Sequence, residues 1–241
     1  MTRILLIAQE KGGVGKSLIA RGVAEAAVGT GVIEVDSTRR LLELGERVKF
    51  FPMRVERREI ELTGGRAARA EFDPVVNALA SADQPTLVDV GANTSRALLS
   101  VLVDMKEDLK GAGVELALLV VVTAEPGALA EAPKLLDLGR QLGASLFVVE
   151  NQLRGVVSKA DLKKVVGDAT LTNLREHRME DEAISILMGT GLADIPRLDA
   201  VKLSQAHGLS LGSRIRRDLA ALRADTMEAV RPAAEWLVGG A

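Results

Sequence analysis

Residues 2–17 read TRILLIAQEKGGVGKS, and this stretch decides the fold. Ile4-Leu5-Leu6-Ile7-Ala8 is an apolar, β-rich run, and it empties into a glycine-rich loop closed by Lys16-Ser17. LIARGVAEAAV follows with apolar residues at helical spacing, so the pattern predicts strand, loop and helix in that order. Glycines at 12, 13 and 15 let the backbone turn so that successive N–H groups, including that of Val14, point at one anion. The helix after the loop, opening at Lys16-Ser17-Leu18, offers its positive N-terminal end to the same anion. In such a loop Lys16 reaches the β- and γ-phosphates and the Ser17 hydroxyl holds Mg2+. A corner rich in glycine for packing alone would not require the GKS ending. The reading is a nucleotide-phosphate site.

The common form G-x-x-x-x-G-K-[ST] would place glycine at position 10, where this chain has Glu10. What stands here is Lys11-Gly12-Gly13-Val14-Gly15-Lys16-Ser17, with a second lysine at the front of the loop. KGGVGKS resembles the deviant Walker A motif of the ParA/MinD family of partition and septum-positioning ATPases. The resemblance implies ATP and Mg2+ as ligands and a face-to-face homodimer formed on ATP binding. It also implies that Lys11 reaches the partner subunit's nucleotide, and that turnover is slow and stimulated by a protein partner.

Composition narrows the possibilities. The chain has 241 residues, enough for one α/β domain with a sizeable core, and the expectation is a single domain over 1–241. Hydrophobic residues make up 47% and aromatics 2%, with no tyrosine, so the core must be aliphatic. A net charge of −2 exerts no global pull toward nucleic acid or anionic membrane. With no cysteine, disulfides, thiolate metal sites and cysteine nucleophiles are all excluded. Relatives of this loop that carry iron–sulfur clusters, or a cysteine-dependent glutaminase, are excluded with them. The N-terminal apolar run is too short for a signal peptide, which leads us to expect a cytoplasmic protein.

Downstream, Val32-Ile33-Glu34-Val35-Asp36 reads as a second strand ending in acid, at the end of a buried strand where open α/β sheets bind ligands. Glu34-Val35-Asp36 resembles the family's D-x-D, which implies that Asp36 orients the attacking water and lies near Mg2+. A shifted alignment would put Asp36 first and Thr38 second. Capping of a helix near Thr38 would account for Asp36 as well. Pro85–Gly91, PTLVDVG, is an apolar strand ending in Asp89 and resembles a Walker B strand. That implies Asp89 serves Mg2+ and the Gly91 N–H senses the γ-phosphate. The family's Asp-[small]-Pro-Pro is here Asp89-Val90-Gly91-Ala92-Asn93. Strand 145–151 ends in Asn151, the family's place for an adenine-reading Asn, although asparagine also forms turns. The guanine-reading N-K-x-D is absent after it, which favours ATP over GTP.

The remaining expectations are coarser. Short helix 39–45 and strand 48–51 precede a mixed-charge stretch with Arg54, Arg57, Arg58, Arg66 and Arg69 among Glu56, Glu59 and Glu61. A solvated surface or a partner-facing segment would each account for it. Helix 73–81 should open at Asp73-Pro74. Helices 95–110 and 126–142 flank the very apolar strand 114–123, and 154–190 reads as helical and solvent-facing. Asp194–Leu198 resembles a late family strand. The last helix, about 213–238, carries Arg214, Arg216, Arg217 and Arg223, which in partition ATPases would suggest nonspecific DNA binding. A solvated helix face explains the same residues. Pro232 should interrupt that helix, and the C-terminus is no basic membrane tail. Gly208–Gly212 matches G-x-S-x-G, but no histidine follows Ser210 to complete a triad. His177 and His207 have no ligand partners at metal spacing and are expected on the surface. Together these features predict a doubly wound α/β fold of the P-loop NTPase type, with a mostly parallel sheet, the first strand central and helices on both faces.

Overall fold

The computed structural model describes residues 1–54 and 66–239 (backbone only for 66–69). Its sheet strands are β1 (Thr2–Ala8), β2 (Gly31–Asp36), β3 (Val48–Pro52), β4 (Thr86–Val90), β5 (Val114–Val122), β6 (Ser145–Asn151) and β7 (Thr170–Leu174). The helices are α1 (Lys16–Ala26), α2 (Arg66–Ala80), α3 (Ser95–Asp104), α4 (Lys106–Gly111), α5 (Pro126–Leu142), α6 (Lys159–Val166), α7 (Asp181–Thr190), α8 (Ala200–His207) and α9 (Leu209–Val238). The strands lie in the order β3-β2-β4-β1-β5-β6-β7, and every neighbouring pair is parallel. This is the P-loop NTPase arrangement, with β1 in the middle.

Parallel pairing explains the composition of the strands. Crossover helices cover both faces, so the central strands are apolar on both sides rather than alternating. Leu5, Ile7, Leu87, Leu119 and Val121 pack on one face against Ile19, Val23, Val230 and Leu237 of α1 and α9. Ile4, Leu6, Val88, Leu118 and Val120 face Phe72, Leu79, Leu98, Leu102 and Leu135 on the other. A smaller cluster of Ala183, Leu192, Ile195, Leu203, Ile215 and Leu219 ties α7 and α8 to the start of α9. The chain winds to one side of β1 first and to the other afterwards. The crevice beyond the carboxyl ends of β1, β2 and β4 is therefore the natural ligand position.

Several sequence expectations give way here. The helix expected over 73–81 already runs at Arg66, with Pro74 in its interior. Phe72, Val75, Val76 and Leu79 are buried at i, i+3, i+4 and i+7, so packing carries the helix through the proline despite its missing N–H. Likewise α9 passes through Pro232, held by buried Ala229, Val230, Ala233 and Ala234. Helix 95–110 breaks at Met105 into α3 and α4, and the short helix expected at 39–45 is a 3-10 segment at Leu42–Arg47. The stretch 154–190 holds an edge strand, β7, whose mostly exposed TLTNL pairs with β6. Residues 194–198 form no strand; Ile195–Arg197 is a 3-10 turn around Pro196. The expectations for Glu56, Arg57, Arg58, Glu59 and Glu61, and for the side chains of Arg66 and Arg69, lie outside the described residues. Among the described residues no helix is long and apolar enough to cross a membrane.

Candidate nucleotide site

The phosphate loop spans the crevice as its glycines require. Gly13 and Gly15 have φ of 74° and 92°, left-handed values that a side chain would strain. Gly15 has a second constraint, because a Cβ there would lie 2.4 Å from the Asn151 side-chain nitrogen. That nitrogen donates to the buried Val14 carbonyl at 2.9 Å. Asn151, at the end of β6, is itself buried. In this structure its amide braces the loop, a use distinct from the adenine contact implied by the resemblance. The N–H of Leu18 donates to the Gly15 carbonyl and helps to start α1. Lys16 is 8% exposed, and its Nζ donates to the Gln9 carbonyl at 2.9 Å and the Lys11 carbonyl at 3.4 Å. Burial pulls its pKa down, against the carboxylates of Asp89, Asp36 and Glu10.

Asp89 and Asp36 face this lysine from adjacent strands, and Glu34 lies next to Asp89. In register, Asp89 of β4 lies between Ile7 of β1 and Glu34 of β2. Burial raises the Asp89 pKa to about 6, opposed by Lys16, reinforced by Glu34 and moderated by the Ser17 hydroxyl. Its Oδ1 is buried and has no hydrogen-bond partner. Glu34 is buried too, and desolvation raises its pKa although its Oε1 accepts the Arg40 N–H at 2.5 Å. Asp36 lies at the strand end, half-buried. Its Oδ1 accepts from the Ser37 N–H at 2.6 Å, and its Oδ2 pairs with Arg40 Nε at 3.1 Å. No helix starts at Thr38, so Asp36 caps nothing there. A cavity of about 300 Å³ is lined by residues 12–18, Asp36, Arg40 and Asp89. Arg40 was missed in the sequence, where Arg39-Arg40 carries no motif.

Gly91 follows β4 closely packed on β2: a Cβ there would lie 2.7 Å from Asp36 Cγ and 3.0 Å from the Val35 carbonyl oxygen. Its N–H, given to the γ-phosphate by the resemblance, donates to that carbonyl at 2.7 Å in this structure. Beyond it, Asn93 is the only non-glycine residue with positive φ among the described residues. The Gln9-Glu10 pair ties this segment to the loop. Gln9, fully buried, donates its side-chain amide to the Val121 and Ala128 carbonyls and its backbone N–H to Ser95 Oγ. Glu10 accepts the Asn93 N–H on its carbonyl and the Arg96 N–H on its carboxylate at 2.7 Å. The residue that replaces the expected glycine therefore caps α3. Sequence spacing could not reveal that.

Lys11 is exposed on the rim of a second cavity of about 660 Å³, which shares Asp36 and Ala92 with the first. Its Nζ forms an ion pair with Glu125 at 2.8 Å, and Arg154 approaches the same carboxylate at 3.4 Å. These contacts hold the Glu125 pKa below its usual value, Lys11 contributing most.

The α9 arginines are largely engaged. Arg214 pairs with Glu180, Arg217 with Asp218, and Arg223 with Glu25, while Arg216 is exposed. His177 is not a free surface residue. Its Nε2 lies 2.9 Å from Asp225, which Arg175 also grips and holds below its ordinary pKa. The G-x-S-x-G match falls at the α8–α9 junction, with a helix rather than a strand before it.

No family model matches the chain. It is 30% identical over 156 residues to Protein TraL of Escherichia coli, and the match covers 62% of each protein, less than two thirds of that relative's length. Among solved structures it is similar to the MinD cell division protein of Aquifex aeolicus, at 14% identity and a TM-score of 0.46, over 91% of this chain and 97% of that one. Apo McdA from Cyanothece gives 14% identity and a TM-score of 0.48, over 91% and 100%. Such distant likenesses add little to the sheet order and the loop themselves. Those features make the chain a P-loop protein with a second lysine, Lys11, at the front of its phosphate loop.

Proposed function

We propose that this protein is a Mg2+-dependent ATPase that works as a nucleotide switch, dimerising on ATP binding in DNA partition or conjugative transfer. The observation that carries the reading is the buried Asp89 with an unpartnered oxygen, beside Lys16 and Ser17 at the mouth of a glycine cradle. A carboxylate held up to about 6 by burial, with a lone pair facing no donor, fits a divalent cation. Among the described residues no cluster of three acidic or histidine side chains could cage a metal alone. That suits Mg2+, which commonly takes one or two protein oxygens and completes its shell with phosphate and water. Ser17 and Asp89 would hold it and Asp36 would lie near; when bound it supplies charge neutralisation for the β- and γ-phosphates.

This chain's own groups then act by position and charge. Amides of 12–18 and the Lys16 ammonium bind the phosphates. Asp36 orients a water, whose oxygen bonds to the γ-phosphorus as the bond to the β–γ bridging oxygen breaks. The electron pair stays on ADP, and the water's proton leaves with phosphate or solvent. Lys11 must leave Glu125 to reach a partner's nucleotide, so its ion pair defines a resting arrangement. Turnover in this reading is slow and raised by a protein partner. The protein acts in the cytoplasm as a single domain over 1–241.

A partner-recruiting adaptor with little hydrolysis and no DNA binding is the second reading. Two observations favour it over DNA binding: Arg214 and Arg217 are already paired with acids, and the 660 Å³ cleft opens beside Lys11. The deciding experiment is light scattering after size exclusion, on wild type and Lys11→Ala, with ADP or with ATP and Mg2+. A wild-type dimer formed only with ATP, and lost in Lys11→Ala, is the expected result. A mass indifferent to nucleotide would overturn the switch. DNA binding is tested separately by salt-sensitive retention that disappears on replacing Arg214, Arg216 and Arg217 with Ala.

A further inference from the structure

The loop after β2 brings a second cation into the phosphate cavity. Arg40 lines that cavity with Lys16, Ser17, Asp36 and Asp89. It lies near enough to Lys16 to oppose that lysine's charge. Its backbone is held from both sides. The N–H donates to Glu34, a carboxylate 1% exposed, and the carbonyl accepts from Arg21 Nη2 of α1 at 2.7 Å. Arg21 is itself paired with Glu43. The side chain beyond is more than half exposed, and its Nε donates to Asp36 Oδ2 at 3.1 Å.

This is an uncommon way to use a surface arginine. If the pair with Asp36 were only a solvated ion pair, nothing would require a buried glutamate to fix the loop, since such pairs contribute little to stability. Burying Glu34 is costly and leaves its Oε2 without a hydrogen-bond partner; what its carboxylate holds is the loop backbone at Arg40 and Leu41. A guanidinium presents five donors in a planar fork that matches phosphate oxygens, and it stays charged at all relevant pH. The neighbouring Asp36 is the carboxylate assigned to the water, and in this structure Arg40 occupies it.

We propose that Arg40 is a catalytic residue acting in cis: with nucleotide bound, its guanidinium turns from Asp36 to the γ-phosphate oxygens and releases Asp36 to the water. The inference rests on the ATPase reading given above. In the displacement already described, Arg40 forms and breaks no covalent bond; it neutralises charge on the equatorial oxygens and on the departing ADP. Arginines supplied to phosphoryl transfer in this way raise rates by about 10³–10⁵ in known cases.

The test uses the full chain as wild type, Arg40→Ala and Arg40→Lys, each with Mg2+. Binding of fluorescent ADP and ATP analogues, trapping of ADP with aluminium fluoride, single-turnover hydrolysis and thermal midpoint are measured together. For Arg40→Ala we expect ADP affinity within about threefold and an unchanged midpoint. Hydrolysis should fall by about 30-fold or more, and aluminium fluoride trapping should be lost. Arg40→Lys should lie between the two, and free guanidinium should restore part of the rate of Arg40→Ala alone. Wild-type hydrolysis in Arg40→Ala, or equal loss of ADP and ATP binding without guanidinium rescue, would overturn the proposal. If wild type binds but does not turn over, the readout is the preference for ATP over ADP, which Arg40→Ala should reduce at least tenfold. A wild type that binds neither nucleotide defeats the ATPase reading itself, a result distinct from failure of Arg40.

Discussion

The two lysines of one seven-residue loop live in opposite environments. Lys16 is buried, its ammonium held by backbone carbonyls of its own loop and faced by Asp89 and Asp36. Lys11, five residues earlier, is exposed and tied to Glu125 on the far side of the crevice. Burial makes Lys16 a fixed part of the glycine-rich loop, whereas exposure leaves Lys11 able to change partners. Position in the loop is similar, yet one lysine is built into the site and the other stands at its edge.

The sharpest break in that comparison is Lys16→Ala. It removes the cation facing two carboxylates, and nucleotide affinity should fall on the order of 100-fold or more by fluorescence titration. Lys11→Ala should instead keep affinity for ADP within a few fold while abolishing the ATP-dependent dimer. Equal losses in the two variants would erase the distinction.

Acidity probes the buried side of the comparison. In the proposed reading Asp89 must be ionised to serve Mg2+, so Mg2+-dependent nucleotide affinity should weaken as pH falls through about 6. For the free protein the sign reverses. The unfolded chain releases this proton near 3.8 and the folded one near 6, so between these values the folded state binds more protons. Its stability therefore falls as pH rises across that window. Asp89→Asn should remove this slope and raise neutral-pH stability by at most roughly 3 kcal/mol in chemical denaturation. An unchanged slope would show that Asp89 is not the group responsible.

Smaller effects follow at the loop's supports. Asn151→Ala, which frees the buried Val14 carbonyl, should cost about 1–2 kcal/mol of stability and weaken nucleotide binding several-fold. If adenine contact were the main role of Asn151, affinity would drop with no loss of stability. Glu125→Gln should leave the thermal midpoint nearly unchanged, because the Lys11 end of the pair is open to solvent, while favouring the ATP-dependent dimer by releasing Lys11. A weaker dimer would mean that Glu125 serves the dimer rather than the resting state.

Much of the fold was legible because parallel strands are buried on both faces and so appear as continuous apolar runs, as in VELALLVVV. Legibility failed where burial was partial and where core packing overrode a local signal. The edge strand TLTNL lacks the apolar run of the central strands, and α2 runs through a proline whose expected boundary was overridden by Phe72, Val75 and Leu79 in the core. In the site, KGGVGKS announced its chemistry through local backbone demands that glycine alone meets. Asp36 and Asp89 were legible as acids at the ends of apolar strands.

The sequence by itself determined the fold class, the phosphate loop and the acidic strand ends, because each depends on residues adjacent along the chain. Tertiary structure alone decided the rest: Glu10 capping α3, Asn151 bracing Val14, Glu125 holding Lys11, and Glu34 with Arg21 setting Arg40 in the cavity. Several of these contacts join residues about a hundred positions apart, and the shorter ones depend on how loops close over the sheet. Only the packed sheet brings them within hydrogen-bond reach, and no local pattern encodes such distances.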